Sequence, residues 1–252
     1  MEINNRVIKK LKTLIFASLA TFLLGFTASS KAQATGSTTK MLDNKQKSII
    51  IISSLTAKGD LEKLETALVD GLDSGLTVNE IKEVMVHLYA YCGFPRSLRG
   101  MRTFIKVLEE RKVNGIKDII GKDASLIEDT IPKYDRGKVI LEELVQNKLD
   151  GPPADYAQFA PIIEVFLKEH LFADIFERDI LNYQQRELVT VSVLATIGGV
   201  EPMLSSHLNI CLIQGITPEQ LSELVDLLEK NVDRSKIVSA REVLSELLEP
   251  KK

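Results

Sequence analysis

The chain has 252 residues, enough for one large or two small domains, and its 44% apolar and 27% charged content is an ordinary globular balance. A formal net charge of −3 without a basic stripe excludes nucleic acid as an expected partner. The absence of Trp, with plentiful Leu, Ile, Lys and Glu, leans towards helix.

The first 34 residues are expected to be a secretory signal peptide. Arg6, Lys9, Lys10 and Lys12 form a basic head, Thr13 to Thr27 is an apolar run, and Ala32-Gln33-Ala34 is a small-x-small cleavage pattern. The run is short for a membrane span, although an uncleaved anchor is the competing reading. Cleavage after Ala34 removes five basic residues and one acidic one, leaving 27 basic against 34 acidic and a net charge of −7. A secreted or periplasmic protein with no membrane attachment after cleavage follows as the expectation. Cys92 and Cys211 both lie in the exported part, where one disulfide is open to them, but two buried free thiols is the preferred reading.

A helix is expected from about Asp43 to Ala57, ended by Gly59; Asp60 then caps a second to about Leu72, ended by Gly75. Thr77 with Glu80 forms a capping box for a third, whose apolar face is Ile81, Val84, Met85 and Leu88. Glu83, His87 and Tyr91 share one stripe of that helix at i, i+4 and i+8, which groups three side chains able to move protons, or marks a solvated face. The helix is expected to stop at Cys92-Gly93-Phe94-Pro95, because proline disfavours helix at the residue before it.

Beyond lies a polar stretch, Lys112 to Asp135, then helices over about Asp135 to Asn147 and Asp155 to Glu169. Shifting the chain by 140 residues lays Gly75-Leu76-Thr77 on Gly215-Ile216-Thr217, and nine of 33 residues from 56 to 88 match, glycines and capping threonines among them. Two copies of a helix–turn–helix–turn–helix unit follow: a first repeat over 41–112, a connecting helical region over 113–180 and a second repeat over 181–250. The second copy ends in an amphipathic helix from Arg234 to Leu248. No stretch alternates as a strand does, so the fold class is all-α.

No phosphate-binding loop, dinucleotide fingerprint or metal-ligand spacing occurs, so neither cofactor nor metal is expected. Of the three histidines, His207 stands four residues before Cys211, with Glu187 at the start of the preceding helix. That geometry suits an acid/base pair if the two helices face each other; a satisfied core histidine and a helix-start carboxylate is the bland alternative. His170 is given no catalytic role.

Three segments, GLTVNEIKEVMVHLYAYCGFPRSL, LFADIFERDILNYQQRELVTVSVLATIGG and SHLNICLIQGITPEQLSELV, resemble the carboxymuconolactone decarboxylase family in a tandem two-copy form. The resemblance implies a helical ring assembly, here a homotrimer of six pseudo-equivalent units. It also implies one of two activities on a small-molecule substrate: decarboxylation of a carboxylated lactone, or peroxide reduction as in the alkylhydroperoxidase D-like branch. Glu187 and His207 match the family's acid/base pair, and the 140-residue shift puts Lys47 and Ala67 in their places in the first copy. His87 and Cys211 complete the catalytic candidates, and Glu83, Tyr91 and Cys92 are expected to line the substrate pocket. The dithiol branch needs cysteines where Val200 and Met203 stand. A ring-forming scaffold or binder without chemistry is the third reading.

Overall fold

The computed structural model describes residues 41–249, so the expected signal segment lies outside them. Among these residues the architecture is all-α, with no strand. Each copy contributes a matching set of helices. The first is α1 (Asn44–Lys58), α2 (Leu61–Asp73) and α3 (Val78–Val113); the second is α7 (Tyr183–Ile197), α8 (Glu201–Ile213), α9 (Pro218–Asn231) and α10 (Arg234–Leu248). Between them stand α4 (Lys133–Val145), two five-residue helices α5 (Asp155–Phe159) and α6 (Pro161–Val165), and a π-helix over Phe166–Phe176.

Capping boxes open four of these helices: Asp43 with Gln46, Thr77 with Glu80, Asn182 with Gln185 and Thr217 with Gln220. These caps correct the repeat register. The helices α2 and α3 map onto α8 and α9 at 140 residues, but α1 maps onto α7 at 139, cap on cap, because the α7–α8 turn holds one residue more. The first-copy counterpart of Glu187 is therefore Ser48, not Lys47, and Lys47 corresponds to Arg186.

The break in α3 also differs from expectation in its cause. Gly93 turns the chain with φ 80° and ψ 161°, a conformation essentially reserved for glycine, and Pro95 sits in the first turn of the helix that resumes at once. That second half of α3 corresponds to α10, so each copy carries four helical rods rather than three. The helix expected over Asp155 to Glu169 is instead cut at Ala160-Pro161 and continues in the π-helix as far as Phe176.

One continuous core joins the copies: Ile49, Ile50 and Ile52 of α1 and Leu188, Val189 and Val191 of α7 are each wholly buried in it, together with the apolar face of α3. The connecting region makes a smaller cluster of Leu144, Phe172 and Phe176 against Ile210 of α8. There α4 presses so closely on the π-helix that a Cβ on Gly137 would stand 1.8 Å from the Lys168 carbonyl oxygen. The stretch between α3 and α4 is tied down by its backbone: Ile119 and Ile120 carbonyls accept from the Val78 and Asn79 N–H groups at the start of α3, both at 2.9 Å. None of the described helices is long and apolar enough to cross a membrane.

Candidate active site

The stripe on α3 is not a solvated face. Glu83 is 2% exposed and His87 fully buried, because α3 lies against α7 of the other copy. Two arginines from the second half converge on Glu83. Arg178 donates from Nε at 3.0 and 3.1 Å and from a terminal nitrogen at 3.0 Å, and Arg186 donates at 2.8 Å. Arg186 has no exposed surface, and its guanidinium also donates to the Arg178 carbonyl and to His87. A charge-assisted fork of this kind compensates the loss of water around both partners.

The same partners fix the tautomer of His87. Arginine can only donate, so Nδ1, 3.2 Å from Arg186, is the acceptor. The proton sits on Nε2, which donates to Thr190 Oγ1 at 2.9 Å, and Thr190 in turn donates to the Arg186 carbonyl. Burial and then the Arg186 and His207 charges hold the His87 pKa well below the usual histidine range. With both nitrogens occupied and no exposed surface, His87 is a positioning residue. It is not the extra acid or base that its place on the stripe suggests.

On the other side of the α3–α7 contact, Glu187 and His207 do meet. The tight Gly198-Gly199 turn sets α7 and α8 side by side, and His207 Nδ1 lies 2.8 Å from Glu187 Oε2. The carboxylate is wholly buried while the imidazole keeps 17% of its side-chain surface. The carboxylate accepts the Nδ1 proton, which leaves Nε2 as the exchangeable nitrogen; no described residue bonds it. Tyr91 from the first copy closes the group, its ring edge-on to His207 with centroids 6.0 Å apart and 5.5 Å from His87. Burial and then the Glu187 charge push the Tyr91 phenol far above its ordinary value, so it remains a donor. Its hydroxyl and Glu187 Oε1 are both buried without a hydrogen-bond partner among the described residues.

The cysteines stand apart from this chemistry. Both thiols are free. Cys211, one turn from His207, has no exposed surface, and burial followed by Glu187 raises its pKa well above the ordinary thiol value. It is therefore held as a thiol, which removes it from the catalytic candidates. Cys92 is half-buried, donates to the Leu88 carbonyl at 3.3 Å, and is pushed up by burial to about 11. The positions the dithiol branch would use hold Val200 and an exposed Met203. Arg178, Arg186 and Thr190, which organise the site, escape sequence reasoning, although all three stand inside the segment LFADIFERDILNYQQRELVTVSVLATIGG quoted above.

The family model described as the carboxymuconolactone decarboxylase family matches residues 26–105 and again 165–246. The chain belongs to this family. The two matches begin 139 residues apart, the spacing at which α1 and α7 superpose by their caps. Curated proteins give no match. As a member of the carboxymuconolactone decarboxylase family the chain is a tandem duplication, and its two copies meet across α1, α3 and α7 to assemble the group around Glu187 and His207 from both halves.

Proposed function

We propose that this protein is an acid/base enzyme that decarboxylates a small carboxylated lactone, with His207 as the proton-transfer residue and Glu187 as its orienting base. The observation that carries the reading is the 2.8 Å contact between a fully buried carboxylate and a partly exposed imidazole. Glu187 holds the ring by Nδ1 and leaves Nε2 facing away from it, so Nε2 is the atom that delivers a proton to carbon. The C–COO⁻ bond breaks, its electron pair enters the conjugated lactone as an enolate, carbon dioxide departs, and the Nε2 proton quenches the enolate carbon. Solvent then reprotonates the imidazole. In this reading the Tyr91 hydroxyl, held protonated and without a hydrogen-bond partner among the described residues, donates to a substrate oxygen. No metal is required for this sequence of events.

The test is turnover of a carboxylated butenolide, followed by carbon dioxide release. His207→Ala is expected to lower kcat about 10²–10⁴-fold, the usual worth of a positioned acid/base group. Turnover unchanged by that substitution refutes the assignment. The proposal extends to an exported homotrimer, supported by the leader-like composition of residues 1–34 and by the family's ring assemblies.

A further inference from the structure

The duplication gives the site a counterpart in the first copy, and that counterpart is hollow. In the corrected register Glu187, His207 and Tyr91 become Ser48, Ala67 and Asn231. All three line a cavity of about 240 Å³. Each site takes two helices from one copy and a helix end from the other: Tyr91 crosses over to His207, and Asn231 crosses over to Ala67. Alanine and asparagine leave open the space that two rings fill in the second copy. The polar core pair His87–Thr190 is likewise replaced by Leu227 and Ile51, and Ile51 lies against the cavity.

The hollow has acquired charges that the second copy lacks. Lys63 and Asp70 of α2 stand on its rim where Met203 and Ile210 stand on α8. Both are exposed, and neither side chain makes a hydrogen bond or salt bridge to a described residue. They are seven positions apart on one helix, about 10 Å along its axis, with Ile51, Leu55 and Ala67 as an apolar floor. An ammonium at one end and a carboxylate at the other are complemented by a ligand with the reverse pair. A singly charged ligand satisfies one end only and sets an apolar terminus against the charge at the other.

We propose that the first-copy cavity is a second, non-catalytic site that binds a small zwitterion with an apolar middle, its carboxylate at Lys63 and its ammonium at Asp70. The test is saturation-transfer NMR on the full chain with 6-aminohexanoate as probe and hexanoate and hexylamine as single-charge controls. The zwitterion is expected to receive transfer at millimolar concentration and the controls to bind about two- to fivefold more weakly, since exposed pairs are individually weak. Lys63→Asp and Asp70→Lys, both on the exposed rim and so harmless to folding, are each expected to weaken binding about five- to tenfold. The double variant restores it, with the probe turned end for end. His207→Ala leaves binding unchanged, which separates this site from the catalytic proposal. No transfer from the wild-type protein, indifference to both single reversals, or loss of transfer in His207→Ala overturns the inference.

Discussion

Replacing Glu83 by Gln keeps the shape of the side chain and removes the charge on which Arg178 and Arg186 converge. The consequences for the two arginines differ. Arg178 keeps 37% of its side-chain surface and can turn its charge to solvent, so its share is that of an exposed pair, about 0–1 kcal/mol. Arg186 has none to turn with, and a buried guanidinium without its counter-ion costs about 3–5 kcal/mol. Against a total stability of roughly 5–15 kcal/mol this is a large fraction. The repeat supplies an internal control. Glu223, the counterpart of Glu83, accepts from Lys47 at 2.8 Å and from the Leu42 N–H at 2.8 Å, but Lys47 is 34% exposed. Glu223→Gln retains the backbone bond and is expected to cost about 1 kcal/mol or less. Equilibrium urea unfolding reads both, and with a slope of about 3 kcal/mol/M the Glu83 variant shifts the midpoint by roughly 1–2 M. Equal shifts for the two variants, or a Glu83→Gln shift within experimental error of zero, refute the claim that burial of Arg186 makes the first clamp the stronger.

Three further outcomes are expected. The folded pKa of His87 lies below its unfolded value near 6.5, so between the two the unfolded chain carries a proton that the folded chain does not. Stability therefore falls as pH is lowered through that window, by about 1.4 kcal/mol per pH unit, and His87→Gln flattens the dependence; a wild-type profile flat from pH 7 to 5 contradicts the buried neutral assignment. Cys211→Ser and Cys92→Ser are expected to leave peroxide consumption with a thiol reductant at the wild-type level, and Cys211 reacts with a thiol reagent only on unfolding; loss of peroxide consumption in either variant would restore the thiol mechanism. Gly93→Ala meets no close neighbour, since the nearest atom to its Cβ is Pro95 Cδ at 3.5 Å, so its cost is the backbone alone, about 1–3 kcal/mol by thermal or urea unfolding. No loss would mean that α3 does not need the turn at Gly93.

Much of the fold was legible because the helix starts advertise themselves. Thr77-x-x-Glu80 and Thr217-x-x-Gln220 are visible as capping boxes in the sequence, and both open helices at those residues. The register of α1 was misread for a physical reason. The α7–α8 turn has two adjacent glycines, so Gly59 matches Gly199 as well as its true counterpart Gly198, and the extra residue is hidden. The capping glutamines Gln46 and Gln185, 139 residues apart, were the signal that resolves it. The π-helix was not legible, because its apolar run Leu171 to Phe176 has the composition of any buried helix. Nor were the buried arginines: a charged residue at a helix start reads as solvated, and only the packing of α3 on α7 shows that Arg186 is enclosed.

The adjacency of Arg186 and Glu187 explains why the strong clamp and the Glu187–His207 contact belong to the same copy. Neighbouring residues on an α-helix point about 100° apart, so a helix whose one residue is fixed has the direction of the next one fixed as well. Arg186 is held by Glu83 and His87 of α3, and this sets the rotation of α7 at which Glu187 faces His207 of α8. A carboxylate that must meet an imidazole nitrogen within a few tenths of an ångström needs such a support, and a buried guanidinium with several fixed bonds supplies it. The first copy has Ser48 facing Ala67 across its cavity, where no such aim is needed. There the half-exposed Lys47 suffices to hold Glu223, and the rigidity of the arginine fork is absent. The weaker clamp and the cavity thus occur together, in the copy where Ser48 and Ala67 stand in place of Glu187 and His207.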